Sequence, residues 1–192
     1  MAGISELEQR LASLTPRDTT RGFLFNAALD LVKSEAGEDA MKRCLEAADS
    51  SSFTDFFSYP VSTLLKLTYA AAHELSDRSG GFDEALQRLG GHVAPHFLTS
   101  ATGRMLLSLM GKEPGQLFDS LPTAYRMWWD HGGCSLTWSG PRSGRLHYDN
   151  AMPVSYLIGS VKPLLAAPHL QGTRVNGRQT GPTRSEVDFS WE

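Results

Sequence analysis

Tyr125, Trp128 and Trp129 stand at helical spacing in the stretch SLPTAYRMWWDHGG, residues 120–133, just ahead of a glycine pair. Rings of this kind offer a broad apolar surface with polar tips. They could wall a ligand pocket, or they could weld two packed layers together. Six histidines (His73, His92, His96, His131, His147 and His169) and two cysteines (Cys44 and Cys134) are the remaining side chains with obvious ligand or nucleophile chemistry. No HExxH or CxxC pattern joins them. His92 and His96 are four apart, but Pro95 lies between them and would disturb a helical pairing. Cys134 follows His131 by three residues, which allows a cysteine–histidine pair; a half-buried strand cysteine serving as a small hydrophobe is the plainer reading. No G-x-S-x-G, phosphate-binding loop or G-x-G-x-x-G is present. Paired carboxylates such as Glu35 with Asp39, or Asp83 with Glu84, fall at helix ends and suit the helix dipole. No residue set for catalysis emerges, so neither an enzyme nor a metal site is expected.

The elements that must position those rings are legible from periodicity. Residues 4–14 place Ile4, Leu7, Leu11 and Leu14 on one side of a short helix closed by Pro16. A helix follows with Phe23, Ala27 and Leu31 in step, capped by Thr19 or Thr20 and ended by Gly37. Residues 39–48 form the next, with Met41, Cys44, Leu45 and Ala48 inward. After an aromatic break closed by Pro60, Val61, Leu64, Leu65, Thr68, Ala71, Ala72 and Leu75 make one continuous helical face. Phe82, Ala85, Leu86 and Leu89 mark a shorter helix, stopped at Gly90-Gly91 as the previous one is at Gly80-Gly81. A further helix is read over residues 99–111. Pro114 then opens the helix that carries Leu117, Phe118 and Leu121 into the tyrosine–tryptophan stretch, where Pro122 breaks one backbone bond or begins a fresh segment capped by Ser120.

Past Gly132 the period falls from 3.6 to 2. CSLTWS and RLHYDN flank a short glycine-bearing loop as a hairpin, MPVSYLIGSVKPLLAA returns to helix, and the tail reads as a second hairpin with Val187, Phe189 and Trp191 alternating. The expected class is α+β: an N-terminal helical bundle packed on a C-terminal four-stranded antiparallel sheet of order β-β-α-β-β. Residues 1–20 are read as an N-terminal helix or extension. Residues 21–192 are read as one domain, helical over 21–131 and sheet-based over 132–192, since four short strands need the helices to cover them.

Bulk properties narrow the partners. A net charge of -3 over 192 residues gives no general attraction to nucleic acid or anionic lipid. No apolar run approaches the roughly 20 residues that a membrane span requires. Two distant cysteines form no disulfide framework, and the N-terminus has no signal-peptide pattern, so a cytoplasmic location is expected.

The segments RGFLFNAALDLV, FTDFFSYPVSTLLKLTYAAAHEL, FDEALQRLGG, GRMLLSLMG, LFDSLPTAYRMW and RLHYDNAMPVSYLIGSVKPLL, in that order, resemble a family of paralogous myxobacterial domains (domain of unknown function 2378). More remotely, the chain resembles the heme nitric-oxide-binding (H-NOX) fold and its 4-vinyl-reductase-type relatives. That second resemblance implies a sensory, non-enzymatic domain with a ligand between helices and sheet. The remote family's F-N-x-x-L is kept as Phe25, Asn26 and Leu29. Its heme-ligating histidine ends an L-x-x-x-H turn, where this chain has Leu121 and Tyr125. Its propionate motif Y-x-S-x-R is met only at Tyr148, with Asn150 and Met152 in the serine and arginine positions. The implied iron ligand and propionate cation are therefore missing. A tyrosinate can hold heme iron, usually with an arginine beside it; Arg126 is adjacent in sequence, and adjacent helical residues point apart.

The expectation is a sensory or regulatory domain that binds a small, largely apolar molecule, with Tyr125, Trp128, Trp129, Phe25 and Tyr148 as pocket candidates and no cofactor. Two alternatives stand beside it. One is a protein-interaction module that dimerises through the face of residues 61–75 or the segment of residues 7–14. The other is a heme gas sensor ligated by Tyr125, His92 or His96.

Overall fold

The switch of period near Gly132 marks a real change of layer in the computed structural model, which describes residues 2–99, 114–166 and 170–192. The helical layer comprises α1 (Ala2–Ala12), α2 (Phe23–Ala36), α3 (Glu38–Ala47), α4 (Val61–Ser79), α5 (Phe82–Thr99) and α6 (Pro114–Trp128). Two three-residue strands, β1 (Thr19–Arg21) and β2 (Ser58–Pro60), pair antiparallel between them. The second layer is a four-stranded antiparallel sheet of β3 (Gly133–Gly140), β4 (Ser143–Asp149), β5 (Arg174–Gln179) and β6 (Arg184–Ser190), with α7 (Val154–Ala166) between the hairpins. The strand order is β3-β4-β6-β5. The α+β class and its β-β-α-β-β half are as the periodicity predicts. The helix expected over residues 99–111 and His169 lie outside the described residues. Among the described residues, no helix is long and apolar enough to cross a membrane.

The predicted face of α4 is buried throughout, from Val61 to Leu75, and forms the centre of the helical layer. Leu7, Leu11 and Leu14 pack against the same core. The α4 face is thus covered within the chain, whereas Leu7, Leu11 and Leu14 are only half-buried. Among the described residues, the most exposed large apolar side chains are instead Phe56 and Phe57, just before β2.

Three local expectations are corrected. Thr19 and Thr20 do not cap α2; they extend into β1, and the N-cap is Gly22, with no side-chain cap bond. Pro122 does not divide α6. Ser120 Oγ folds back to donate to Leu117 O at 2.8 Å, and one helix runs through. Gly90-Gly91 does not stop α5 either, which continues through Pro95 to Thr99. Gly90, with Gly159 opposite, instead lets α5 and α7 touch backbone to backbone. A Cβ on Gly90 would lie 2.0 Å from Tyr156 O, and one on Gly159 would lie 1.9 Å from Gln87 O. The packing gained across this crossing outweighs the helix propensity lost, about 1 kcal/mol per glycine. Gly80, by contrast, takes a left-handed φ of 91° and does end α4.

On the sheet, Leu146 pairs with Val187, and Phe189 fills the space over Gly144, so the inner face is apolar. The helix α6 lies over β3, and α7 lies over β5 and β6. Phe118 of α6 stacks on Phe189 with ring centroids 3.9 Å apart, and Trp138 Nε1 donates to Asp119 Oδ1 at 2.9 Å. That aromatic cluster anchors the N-terminal part of α6; Tyr125 occupies the other end.

Arg10 of α1 carries a contact that no periodicity foretells. Only 2% exposed, it donates to Ala151 O at 3.0 Å, to Met152 O at 3.3 Å and to Gln179 Oε1 at 2.6 Å, and it pairs with Glu6. It ties the N-terminal helix to the turn between β4 and α7.

Candidate functional site

The C-terminal end of α6 is held in place by β1. Thr20 Oγ1 donates to Trp128 O at 2.8 Å, Asp130 N donates to Thr19 O at 2.9 Å, and Thr19 Oγ1 donates to Asp130 Oδ2 at 2.9 Å. His131 Nδ1 meets Asp18 Oδ1 at 2.8 Å. Burial pushes the Asp18 carboxyl upward, but hydrogen bonds from the Thr15 amide and hydroxyl, with the charge and hydrogen bond of His131, hold it below its ordinary value. With this end fixed, Tyr125 and Trp129 stack at 5.7 Å and 8°, and Trp128 meets Phe23 edge-on at 5.3 Å.

Behind these rings lies a cavity of about 100 Å³ where α5, α6, α7 and the sheet converge. Its walls are Tyr125 and Trp128 from α6 with Trp129 just past its end, Val93 and Ala94 from α5, Tyr156, Leu157 and Leu164 from α7, and Leu24 from α2. Cys134 and Tyr148, register partners on β3 and β4, close the sheet side together with Asn150. Among the described residues, the lining contains no lysine, arginine, histidine or carboxylate.

The site is neutral. Burial pushes the phenols of Tyr125, Tyr148 and Tyr156 well above their ordinary value and the Cys134 thiol up to about 12. Tyr125 Oη donates to His131 O at 3.3 Å, and Ser160 Oγ donates to Leu157 O at 2.8 Å. Asn150 differs. Its Oδ1 accepts from Met152 N at 3.0 Å and its backbone N–H donates to Thr183 O at 2.7 Å, but its buried Nδ2 has no partner. An unpaired buried donor of this kind costs about 1–3 kcal/mol.

The structure brings Tyr125, Trp128, Trp129 and Tyr148 together around one space. Phe25 lies elsewhere, stacked on Phe53 at 4.2 Å, with Tyr59 edge-on. His92 and His96 line no part of the cavity; their rings sit 6.2 Å apart on α5, and His96 meets Asp30 at 3.0 Å. His131 is engaged by Asp18, and Cys134 faces Tyr148. Among the described residues, no group of three or more histidine, cysteine or acidic side chains could hold a metal ion. Sequence reasoning passed over Tyr156, Ser160 and Leu164, although they recur every fourth residue along α7. The unpaired Asn150 amide gave no signal, because only the fold reveals that its partner is missing.

Heme can be tested against these walls. An axial tyrosine must be deprotonated, whereas Tyr125 is a buried phenol whose hydroxyl donates to a backbone carbonyl. Arg126 is exposed and reaches Thr123 instead. The position that the resemblance assigns to the propionate arginine is Met152, fully buried; the nearby Arg10 is committed to carbonyls and to Gln179. A buried carboxylate without a cation is costly. The described residues around the cavity do not fit heme.

Solved structures share the architecture. The chain is similar to an Fe(II) unliganded H-NOX protein mutant from K. algicida, with 16% identity over 90% of this chain and 96% of that one, at a TM-score of 0.71. It is similar to an H-NOX protein from S. oneidensis in the Fe(II)NO ligation state, with 11% identity over 90% and 99% of the two chains, also at 0.71. A third likeness, at 10% identity over 90% and 95% and a TM-score of 0.65, is to a structure that probes heme distortion in the H-NOX family. At such identities the likeness is one of fold. No curated protein matches the chain. The match that covers nearly the whole sequence, residues 13–192, is to the family described as "Protein of unknown function (DUF2378)", and to that family, on an H-NOX-like fold, this chain belongs.

Proposed function

We propose that this protein is a non-enzymatic sensory domain that binds a small, largely apolar molecule between α5, α6, α7 and the sheet. The observation that carries the reading is the neutral, aromatic-walled cavity beside Tyr125, Trp128, Trp129 and Tyr148. Junctions between layers are where proteins favour ligand pockets, and the resemblance to a sensory fold agrees with it. Binding would signal through α6: Trp128 and Trp129 sit on the segment that β1 grips, so a ligand pressing on those rings loads the Thr20–Trp128 and Thr19–Asp130 contacts. The output is a contact with a protein partner or a change in self-association.

Thermal-shift screening against small hydrophobic metabolites and lipids tests the proposal. Neutral compounds of ring size or smaller should raise Tm in a concentration-dependent way, and substituting Trp128 or Tyr148 should abolish the shift. A screen in which no apolar compound stabilises the protein refutes the reading. Titration with hemin separates this reading from a gas sensor: no Soret band should develop.

A further inference from the structure

The amide of Asn150 is a polar demand that the described walls of the cavity leave unmet. Asn150 is 1% exposed, and its orientation is not free. Its backbone is fixed by the bond to Thr183 O, and its Oδ1 is held by the Met152 N–H two residues on, in a local side-chain-to-backbone turn. With the oxygen so placed, Nδ2 is the remaining polar atom of a side chain that lines the cavity; it is buried and makes no hydrogen bond of normal geometry, and the amide's pull on the Tyr125 phenol, downward against the push of burial, sets it beside that hydroxyl. Of the other polar groups of the lining, Tyr125 Oη is engaged on His131 O and Ser160 Oγ on Leu157 O.

We propose, resting on the ligand-binding reading above, that the cavity recognises a neutral hydrogen-bond acceptor, a carbonyl or ether oxygen, seated on Asn150 Nδ2 and carried on a compact apolar body. Three observations set this class. The unpaired donor asks for an acceptor, since a site built around a buried polar group rejects a molecule that leaves it unpaired. The described lining has no cation, so a carboxylate or phosphate would enter with its charge uncompensated by it. The volume of about 100 Å³ limits the body; a 150 Å³ apolar cavity takes benzene, so a five- or six-membered ring is about the largest that fits. The rings of Tyr125, Trp128 and Tyr148 then cover the apolar remainder.

The test uses the full chain and three probes of similar shape: cyclopentanone, methylcyclopentane and cyclopentanecarboxylate. Binding is followed by protein-observed NMR at the Asn150 side-chain amide and the Trp128 and Trp129 indoles. The expected result is that the ketone binds about tenfold tighter than the hydrocarbon and shifts the Asn150 amide, while the carboxylate does not bind. The variant Asn150→Asp, measured above the pH at which the new carboxyl ionises, keeps an oxygen for Met152 N–H but loses the donor. It should cost the ketone about tenfold and leave the hydrocarbon unchanged, with NMR dispersion confirming the fold. Equal affinity for ketone and hydrocarbon in the wild type overturns this inference and leaves the apolar-ligand reading standing. Should neither probe bind, both fall together. A ketone that binds equally well to wild type and variant, or an Asn150 amide whose signals report only an internal water, also overturns it.

Discussion

Replacing Gly90 and Gly91 by alanine, one at a time, puts the crossing of α5 and α7 to a matched test. Both glycines lie in the interior of one helix, so each gains about the same helix propensity on substitution, about 1 kcal/mol. Their surroundings differ. A Cβ at Gly90 would sit 2.0 Å from Tyr156 O and 3.1 Å from Ser160 N, so the two helices must part by about 1 Å before ordinary contact is restored. At Gly91 the nearest atom is Gly159 O at 3.4 Å, an ordinary separation. Overpacking of a tight interior costs about 1–3 kcal/mol, and here it also opens the cavity wall formed by Tyr156, Leu157 and Ser160. Gly91→Ala should therefore be neutral or slightly stabilising, and Gly90→Ala should be less stable than Gly91→Ala by about 1–3 kcal/mol. For a chain of this size that gap corresponds to about 2–12 °C in Tm. Urea and thermal denaturation of the pair measure it directly. If the two variants unfold within about 0.5 kcal/mol of each other, the glycines are not there for close approach and the account of the crossing is wrong.

Other outcomes follow from the same geometry. Arg10→Met leaves the Ala151 and Met152 carbonyls without their buried donor and should cost about 2–4 kcal/mol, with amide exchange rising first in α1 and the turn after β4. Tyr125→Ala removes a ring from the cavity wall; it should cost about 3–5 kcal/mol and enlarge the space enough to take bulkier apolar probes, as titration by fluorescence would show. Cys44 and Cys134, with thiols pushed up to about 12 by burial, should both react with a thiol reagent far more slowly than free cysteine at neutral pH. Occupancy of the cavity should slow Cys134 alone. The Asp18 carboxyl, held low in the folded chain, adds stability that is present above its unfolded pKa of about 3.9 and is lost as pH falls through the folded value. Asp18→Asn should flatten the stability profile below about pH 4 in acid unfolding curves.

Much of the fold was legible because burial is periodic. Val61, Leu64, Leu65, Thr68, Ala71, Ala72 and Leu75 cannot all be hidden unless the segment is a helix facing one core, and Val187 and Phe189 cannot share a face unless it is a strand. The errors fell where a residue type has two uses. Gly90-Gly91 reads as a stop when only its own helix is considered, and as a contact point once Gly159 is brought against it. Thr19 and Thr20 read as caps until Pro60 and Tyr59 arrive to pair with them.

Four of the five pocket candidates, Tyr125, Trp128, Trp129 and Tyr148, meet around one cavity, because large rings at the end of a helix before a sheet have few other places to go. Phe25 does not join them; α2 turns that ring toward Phe53 and Tyr59, a direction set by the loop before β2 and not by local spacing.

By itself the sequence determined the element order and the two-layer class, since these depend on residue identity and short-range periodicity; the missing charged and ligating groups at Tyr125, Asn150 and Met152 were legible only through the resemblance to the H-NOX pattern. Tertiary structure alone decided that Arg10 is buried across the chain, that space remains behind Tyr125, and that Asn150 lines it with a buried Nδ2 that makes no hydrogen bond. Those are statements about what is absent from a residue's surroundings, and the surroundings are assembled from segments more than a hundred positions apart.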